Sequence, residues 1–367
     1  MDTHFYLTFF SSFRGLVIEY IKRRPTMGLP RSRYVQENQE GTYHCFCRCV
    51  RRAFLYGYDA ATNQDFSHRK TWIVDRMKFL AGIFAIDICA FAVLANHYHN
   101  ILRTRPDIAA SWSDREVATR WLQLCPRKPR SKKKPTPSLE DQITALLASP
   151  HRIAQLRQRL CSLSWFMGRL NEFIARAANA EDKVKGRFWE SRFKCQILLD
   201  DIALIACMAY VDLNPIRAGL AATPEDSDFT SIQERIRAWQ QTNISSVPAM
   251  TSAIQSGSNR QVNSWLCPIM SDSQRRGLLN ISEAQYFGLV DQSGRTLRQD
   301  KRGSINPELD PILSRIGAKP ESWMDIVANF GSIFRLAAGR YANLKNFADK
   351  IGVRWLSGAS IARASFL

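Results

Sequence analysis

Ile86-Asp-Ile-Cys-Ala-Phe-Ala-Val-Leu94, Ala95-Asn96 and His97-Tyr-His-Asn-Ile-Leu-Arg103 decide the fold. The first segment is a near-continuous apolar run of the kind that fills a buried strand. Ala95-Asn96 suits a tight turn, and the third segment reads as a second strand. Ahead of this pair, Ile73, Met77, Leu80 and Phe84 recur at helical spacing and predict a helix within 69–84. Further back, Tyr43-His-Cys-Phe-Cys-Arg-Cys-Val50 alternates with a period of two, which predicts a strand with one small, apolar face. Strand, helix, strand, strand is the order of an α+β fold built on an antiparallel sheet.

The cysteines on that first strand, Cys45, Cys47 and Cys49, are expected to be core. Three donors on one strand face cannot close a tetrahedral metal site without a fourth from elsewhere. The chain has 9 cysteines, an odd number, and none spaced as Cys-x-x-Cys, so neither a zinc ribbon nor a disulfide framework has support. Free thiols fit a reducing cytoplasm.

Beyond the hairpin, Ser113-Asp-Arg-Glu116 is a capping box that predicts a helix over 114–124. Residues 126–138 carry four prolines and six basic residues, Lys132, Lys133 and Lys134 among them. This is a basic loop, either a solvated linker or a mobile phosphate anchor. Helices are predicted over 151–161 and 163–179, the latter with an apolar stripe of Leu163, Phe166, Met167, Leu170, Ile174 and Ala177. Residues 183–194 interleave Arg187, Arg192 and Lys194 with Phe188, Trp189 and Phe193. Such a segment is either a two-faced strand or a surface that grips phosphates and stacks on bases. A helix over 201–211 stops at Asn214-Pro215.

Residues 223–265 read as a linker rich in Gln, Asn and Ser, and 266–367 as a mainly helical C-terminal domain. There, caps are expected at Ser282 and Pro307, apolar periodicity recurs in 322–337, and Leu344 to Leu356 suits a helix-turn-helix or an ordinary helical pair. At the other end, residues 1–30 read as a leader, with Met27 as an alternative start. Their apolar stretch is interrupted by Arg14 and Glu19 and is too short to span a bilayer, so no membrane association is expected.

The chain has 367 residues with 45% hydrophobic content, enough to bury a core and to exclude wholesale disorder. Its net charge of +18 points to a polyanionic partner, nucleic acid first. Within this basic chain, His97 and His99 are the sharpest feature. Spacing of two puts both imidazoles on one strand face, with Tyr98 on the other. The pair is either a polar strand face or a divalent-metal chelate.

The run Phe91 to Arg103, with its Asn-His-x-His core, resembles the HUH strand of single-tyrosine transposases. Tyr34 with Tyr43-His44 resembles the opening of that domain. Gly186-Arg-Phe-Trp-Glu-Ser-Arg-Phe-Lys194 resembles its basic-aromatic segment, and Tyr210-Val-Asp-Leu-Asn-Pro-Ile-Arg-Ala-Gly-Leu220 its closing signature. Over residues 31–222 the chain thus resembles the REP-associated tyrosine transposases. The resemblance implies a ferredoxin-like core binding single-stranded or hairpin DNA. It implies Mg²⁺ or Mn²⁺ held by His97, His99 and a third polar side chain, Asn179 or Glu172. It also implies a tyrosine that attacks the scissile phosphate to form a 5′-phosphotyrosine. The pattern is broken at that tyrosine. The family's position lies on the helix over 163–179, where Ile174 and Ala177 stand instead. Three cases follow: a DNA-binding descendant that does not cleave, a displaced nucleophile such as Tyr210, or a nuclease using metal-bound water. Exchange of strands between two sites would call for a homodimer.

Overall fold

Alternation and register build the centre of the molecule. In the computed structural model, which describes residues 29–50, 58–59, 63–126, 137–245, 265–297, 313 and 318–366, strand β1 (Gly41–Arg48) lies between two antiparallel partners. A two-residue ribbon follows, β2 (Tyr58–Asp59) with β3 (Gln64–Asp65), then helix α1 (His68–Ala81) and the hairpin β4 (Ile86–Val93) and β5 (His97–Thr104). Five helices precede the next strand: α2 (Pro106–Ser111), α3 (Asp114–Leu124), α4 (Leu139–Leu147), α5 (Pro150–Leu160) and α6 (Leu163–Glu181). Strand β6 (Lys194–Leu198) is followed by α7 (Asp201–Asp212), α8 (Asn214–Arg217), α9 (Ser231–Ser245), α10 (Glu283–Leu297) and α11 (Pro320–Ile333). The chain ends with β7 (Ala337–Ala338), α12 (Tyr341–Ile351) and α13 (Ala359–Ser365). Val35–Leu367 is one unit; of the other, Met1–Tyr34, residues 29–34 are described and carry a 3-10 turn at Arg31–Arg33.

The sheet order is β4-β5-β1-β6-β7. The expectation of a wholly antiparallel sheet is corrected here: β7 joins β6 in parallel, making a mixed five-stranded sheet. The fifth strand comes from the C-terminal region, so that region is part of the same sheet. Asp200 reinforces the join, because its carboxylate accepts hydrogen bonds from the Arg340 backbone N–H and from Asn343 Nδ2, both at 2.7 Å.

Helices cover both faces. On one face stand Tyr43, Cys45 and Cys47 of β1 with Tyr98 and Asn100 of β5, since directly paired residues share a face. Tyr98 Oη donates to Asn171 Oδ1 of α6 at 2.6 Å, and Asn171 Nδ2 lies 3.3 Å from Cys47 Sγ. The cysteines are core, with Cys45 and Cys49 fully buried, and all nine are free thiols. α1 packs against α6 and β4. The stripe expected on α6 is buried from Leu163 to Ile174, with Ala178 in place of Ala177.

The opposite face carries His44, Phe46 and Arg48 with His97, His99 and Ile101. Ala92 opposite His99 and Ala90 opposite Ile101 keep the floor beside them low, and α7 lies over it. α7 is buried on nearly every side from Ile202 to Asp212, because α10 and α11 cover its back. Asp212 anchors its end: its carboxylate takes hydrogen bonds from Ser231 Oγ (2.5 Å), Tyr286 Oη (2.5 Å) and the Ile232 N–H (3.1 Å).

The β4 edge is closed by Phe91 N–H to Ser231 Oγ (2.9 Å), Val93 N–H to the Phe229 carbonyl (3.0 Å) and Cys267 N–H to the Ile88 carbonyl (2.9 Å). Covering an edge in this way removes a template for foreign strand pairing. Residues 231–245, expected within a linker, are therefore a helix seated on the sheet edge; 246–264 and Pro307 lie outside the described residues. No helix among the described residues is long and apolar enough to cross a membrane.

Candidate active site

The period of two along β1 and β5 brings three histidines to one sheet face. His99 lies opposite Phe46, His97 opposite Arg48, and His44 between Ile101 and Gln196 of β6. His44 Nδ1 is 3.2 Å from Gln196 Oε1, and His44 Nε2 is 2.9 Å from His99 Nδ1. With Gln196 turned so that Oε1 faces His44, and its buried Nε2 without a partner among the described residues, these two bonds set the protons. Gln196 Oε1 can only accept, so His44 carries its proton on Nδ1 and its Nε2 is bare. The bare Nε2 accepts from His99 Nδ1–H, which leaves the lone pair of His99 on Nε2. That atom is buried and has no hydrogen-bond partner among the described residues.

His97 follows the same logic. Its Nδ1 is 2.5 Å from Asn96 Oδ1, an acceptor, so its lone pair also sits on Nε2. The two rings are 5.0 Å apart between centroids and nearly perpendicular.

All three imidazoles are neutral near pH 7. Burial pushes His44 down to about 4 against the opposing hydrogen bond from Gln196. Burial, then the Arg48 charge, takes His97 to about 4. His99 lies well below the ordinary histidine value, through burial first and then His44, His97, Arg217 and Arg48. Cations rim the face. Exposed Lys194 sits over the Phe46 ring, its Nζ 5.7 Å from the centroid, and the exposed Arg217 guanidinium lies 4.9 Å from the Tyr210 centroid.

Tyr210 projects from α7 onto this face. Its ring meets His99 edge-on at 5.7 Å and His44 at 6.0 Å. Its hydroxyl makes no hydrogen bond among the described residues. The helix expected to carry the nucleophile, α6, lies instead on the Tyr98 side of the sheet. Glu172 on that helix pairs with Arg169 (2.9 Å) and Arg176 (2.7 Å), and Asn179 Nδ2 donates to the Gly186 carbonyl at 3.0 Å. No contact joins either of these candidate third ligands to the histidines.

The donor set suits a divalent cation in part. Two neutral imidazoles each present a bare Nε2, with the other ring nitrogen held by a hydrogen bond, the usual support for a metal-ligating histidine. No group of three or more His, Cys, Asp or Glu side chains placed to hold a metal is found among the described residues. A cation here would therefore take its remaining donors from water and from the substrate.

The basic-aromatic segment divides. Arg187, Arg192 and Lys194 are exposed. The rings expected to stack on bases are core: Phe188, Trp189 and Phe193 are buried, and the Trp189 indole N–H donates to the Asn171 carbonyl at 3.0 Å while its ring meets Tyr98. Tyr98 and Asn171 fill the space where this tryptophan turns inward. Lys132, Lys133 and Lys134 lie outside the described residues. Sequence reasoning missed Gln196 and gave His44 no role; the signal was the alternation Thr42, His44, Phe46, Arg48, which puts His44 on the His99 face.

No protein-family model matches the chain, and no curated protein matches it. One solved structure, of a REP-associated tyrosine transposase bound to a REP hairpin, is similar at a TM-score of 0.30 and 13% identity, over 64% of this chain and 96% of that one.

Proposed function

We propose that this chain is a transposase-like DNA strand-cleaving and rejoining protein, with Tyr210 as its nucleophile, acting on single-stranded or hairpin DNA. The observation that carries the reading is the packing of Tyr210 against His99 and His44, on the face where two imidazoles keep bare nitrogens. The order β4-β5-β1-β6, with α1 and α6 as the connecting helices, supports reading these elements as a ferredoxin-like core. The motif resemblance over residues 31–222 and the net charge of +18 support a DNA substrate.

The residues divide the work. Arg217, Arg48 and Lys194 neutralise phosphate charge at the rim and hold the strand over the sheet face. His97 and His99 would hold Mg²⁺ or Mn²⁺, which supplies Lewis-acid polarisation of the scissile phosphate. Gln196 and His44 keep His99 in the tautomer that offers Nε2. Tyr210 Oη attacks phosphorus, the bond from phosphorus to the 3′ oxygen breaks, and the phenolic proton is lost. The leaving 3′ oxygen takes up a proton, and the 5′ phosphate stays on the tyrosine. Phenol ionises near pH 10, so charge neutralisation at the phosphate is what makes attack feasible at neutral pH. The phosphotyrosyl ester conserves the phosphodiester energy, so the reverse step rejoins strands.

The test is a cleavage assay on labelled single-stranded and hairpin DNA with Mg²⁺ or Mn²⁺, resolved on denaturing protein gels. A metal-dependent covalent DNA–protein band, absent in His97→Ala, is expected. Cleavage without that band would make the protein a hydrolytic nuclease. Binding without cleavage would make it a DNA-binding descendant.

A further inference from the structure

We infer that the C-terminal helix α11 is a wall of the active site and that Gly331 sets the position of the Tyr210 hydroxyl; this rests on the reading of Tyr210 as nucleophile. The Tyr210 ring is held by His44 and His99 from the sheet, by Arg217 beyond α7 and by Phe330 of α11, whose ring centroid is 5.9 Å away. The next residue of α11 is Gly331. A Cβ built there would lie 3.0 Å from Tyr210 Oη and 3.5 Å from Cζ, with no other atom of the described residues within 4 Å apart from its own helix and chain neighbours.

Nothing in the backbone asks for glycine at this position. Gly331 is helical and sits within α11, where alanine would be the better helix former. The conflict an added methyl group meets is with one phenol. The helix is also braced against retreat. Phe334 at its end is buried, Ser357 Oγ donates to the Ile333 carbonyl at 2.6 Å, and the chain then enters the sheet as β7. Gly358 backs onto the Phe334 ring, where a Cβ would lie 2.4 Å from the ring. A methyl at 331 therefore moves the hydroxyl rather than the helix. The C-terminal region, with no counterpart in the motifs of residues 31–222, thereby fixes the reacting atom.

The experiment compares wild type, Gly331→Ala, Tyr210→Phe and the double variant. Urea unfolding of the metal-free proteins reads the contact itself, as a double-mutant cycle. Gly331→Ala is expected to raise the unfolding midpoint in the Tyr210→Phe background, where helix propensity acts alone, and to raise it less or lower it in wild type. Equal effects in both backgrounds would overturn the contact. Single-turnover formation of the covalent DNA adduct reads the placement. Gly331→Ala is expected to slow it by about two- to fivefold, since the 3.0 Å approach asks the hydroxyl to give by a few tenths of an ångström, and a full ångström of misplacement can cost on the order of 100-fold. Affinity for the same DNA is expected to stay within about twofold, because the cationic rim that supplies it is untouched. An unchanged adduct rate beside a positive cycle would overturn the positioning role. Absence of adduct in wild type would refute the nucleophile reading, and the stability cycle would still report the contact.

Discussion

Asp212 holds the end of the helix that carries Tyr210, and its carboxyl makes a quantitative prediction. It is fully buried and accepts three hydrogen bonds, from Ser231, Tyr286 and the Ile232 N–H. Burial pushes its ionisation up from the ordinary 3.8 to about 6, against the lowering effect of those bonds and of Arg235. A raised native value means that the folded protein binds the proton more tightly than the unfolded chain. The carboxyl's stabilising contribution is therefore complete below about pH 4 and is lost as pH rises through about 6. The shift of about 2 units corresponds to about 3 kcal/mol. Asp212→Asn keeps an oxygen for Ser231 and Ile232, and its amide can donate to Tyr286 Oη, but it has no proton to exchange. Urea unfolding of both proteins from pH 4 to pH 7.5 is the assay. The stability of wild type relative to Asp212→Asn is expected to fall by about 2.5 kcal/mol across that range, part of the full effect being already lost at pH 4. A difference that stays flat with pH would refute the buried-carboxylate reasoning.

Other outcomes follow from named contacts. Gln196→Leu leaves the buried His44 Nδ1–H without an acceptor; a loss of about 1–3 kcal/mol in urea unfolding is expected, with slower cleavage and DNA affinity little changed. Trp189→Ala should cost about 3–5 kcal/mol of stability as a core truncation, while Trp189→Phe should leave DNA affinity unaltered, as filter-binding titrations would show. Replacing Arg217 or Lys194 by Ala should weaken DNA binding for all sequences alike and lower the slope of log affinity against log salt by about 1 each.

Much of this architecture can be read from the chain itself. Strong periodicity marks α3, α6 and the β4–β5 hairpin to within a residue or two, because their apolar positions face a large core. The Ser282 cap is also legible: Ser282 Oγ accepts from the Gln285 N–H, and the Ser282 N–H donates to Gln285 Oε1. The two-residue strand β7 carries no pattern of its own and exists because α11 and α12 deliver it to the β6 edge. The polar composition of α9 gives it the look of a linker; its role is to cap the β4 edge, which needs few apolar residues.

At the site, His97 and His99 announce themselves by spacing, whereas His44 and Gln196 are recruited by strand register across three strands. Trp189 shows the converse. A tryptophan among arginines and lysines has the composition of a DNA-facing surface, yet the ring turns inward to fill space beside Tyr98 and Asn171, and only the charges remain outside.

Mapping the covalent attachment tests Tyr210 as the nucleophile without intermediate steps. Wild type and Tyr210→Phe would be incubated with the same 5′- or 3′-labelled hairpin DNA and divalent cation, and the DNA-linked peptide identified by mass spectrometry. The expected result is a single adduct on the peptide containing Tyr210, carried through the 5′ phosphate and absent from Tyr210→Phe, with DNA affinity preserved. An adduct that persists in Tyr210→Phe, or one that maps to another tyrosine, would contradict the assignment.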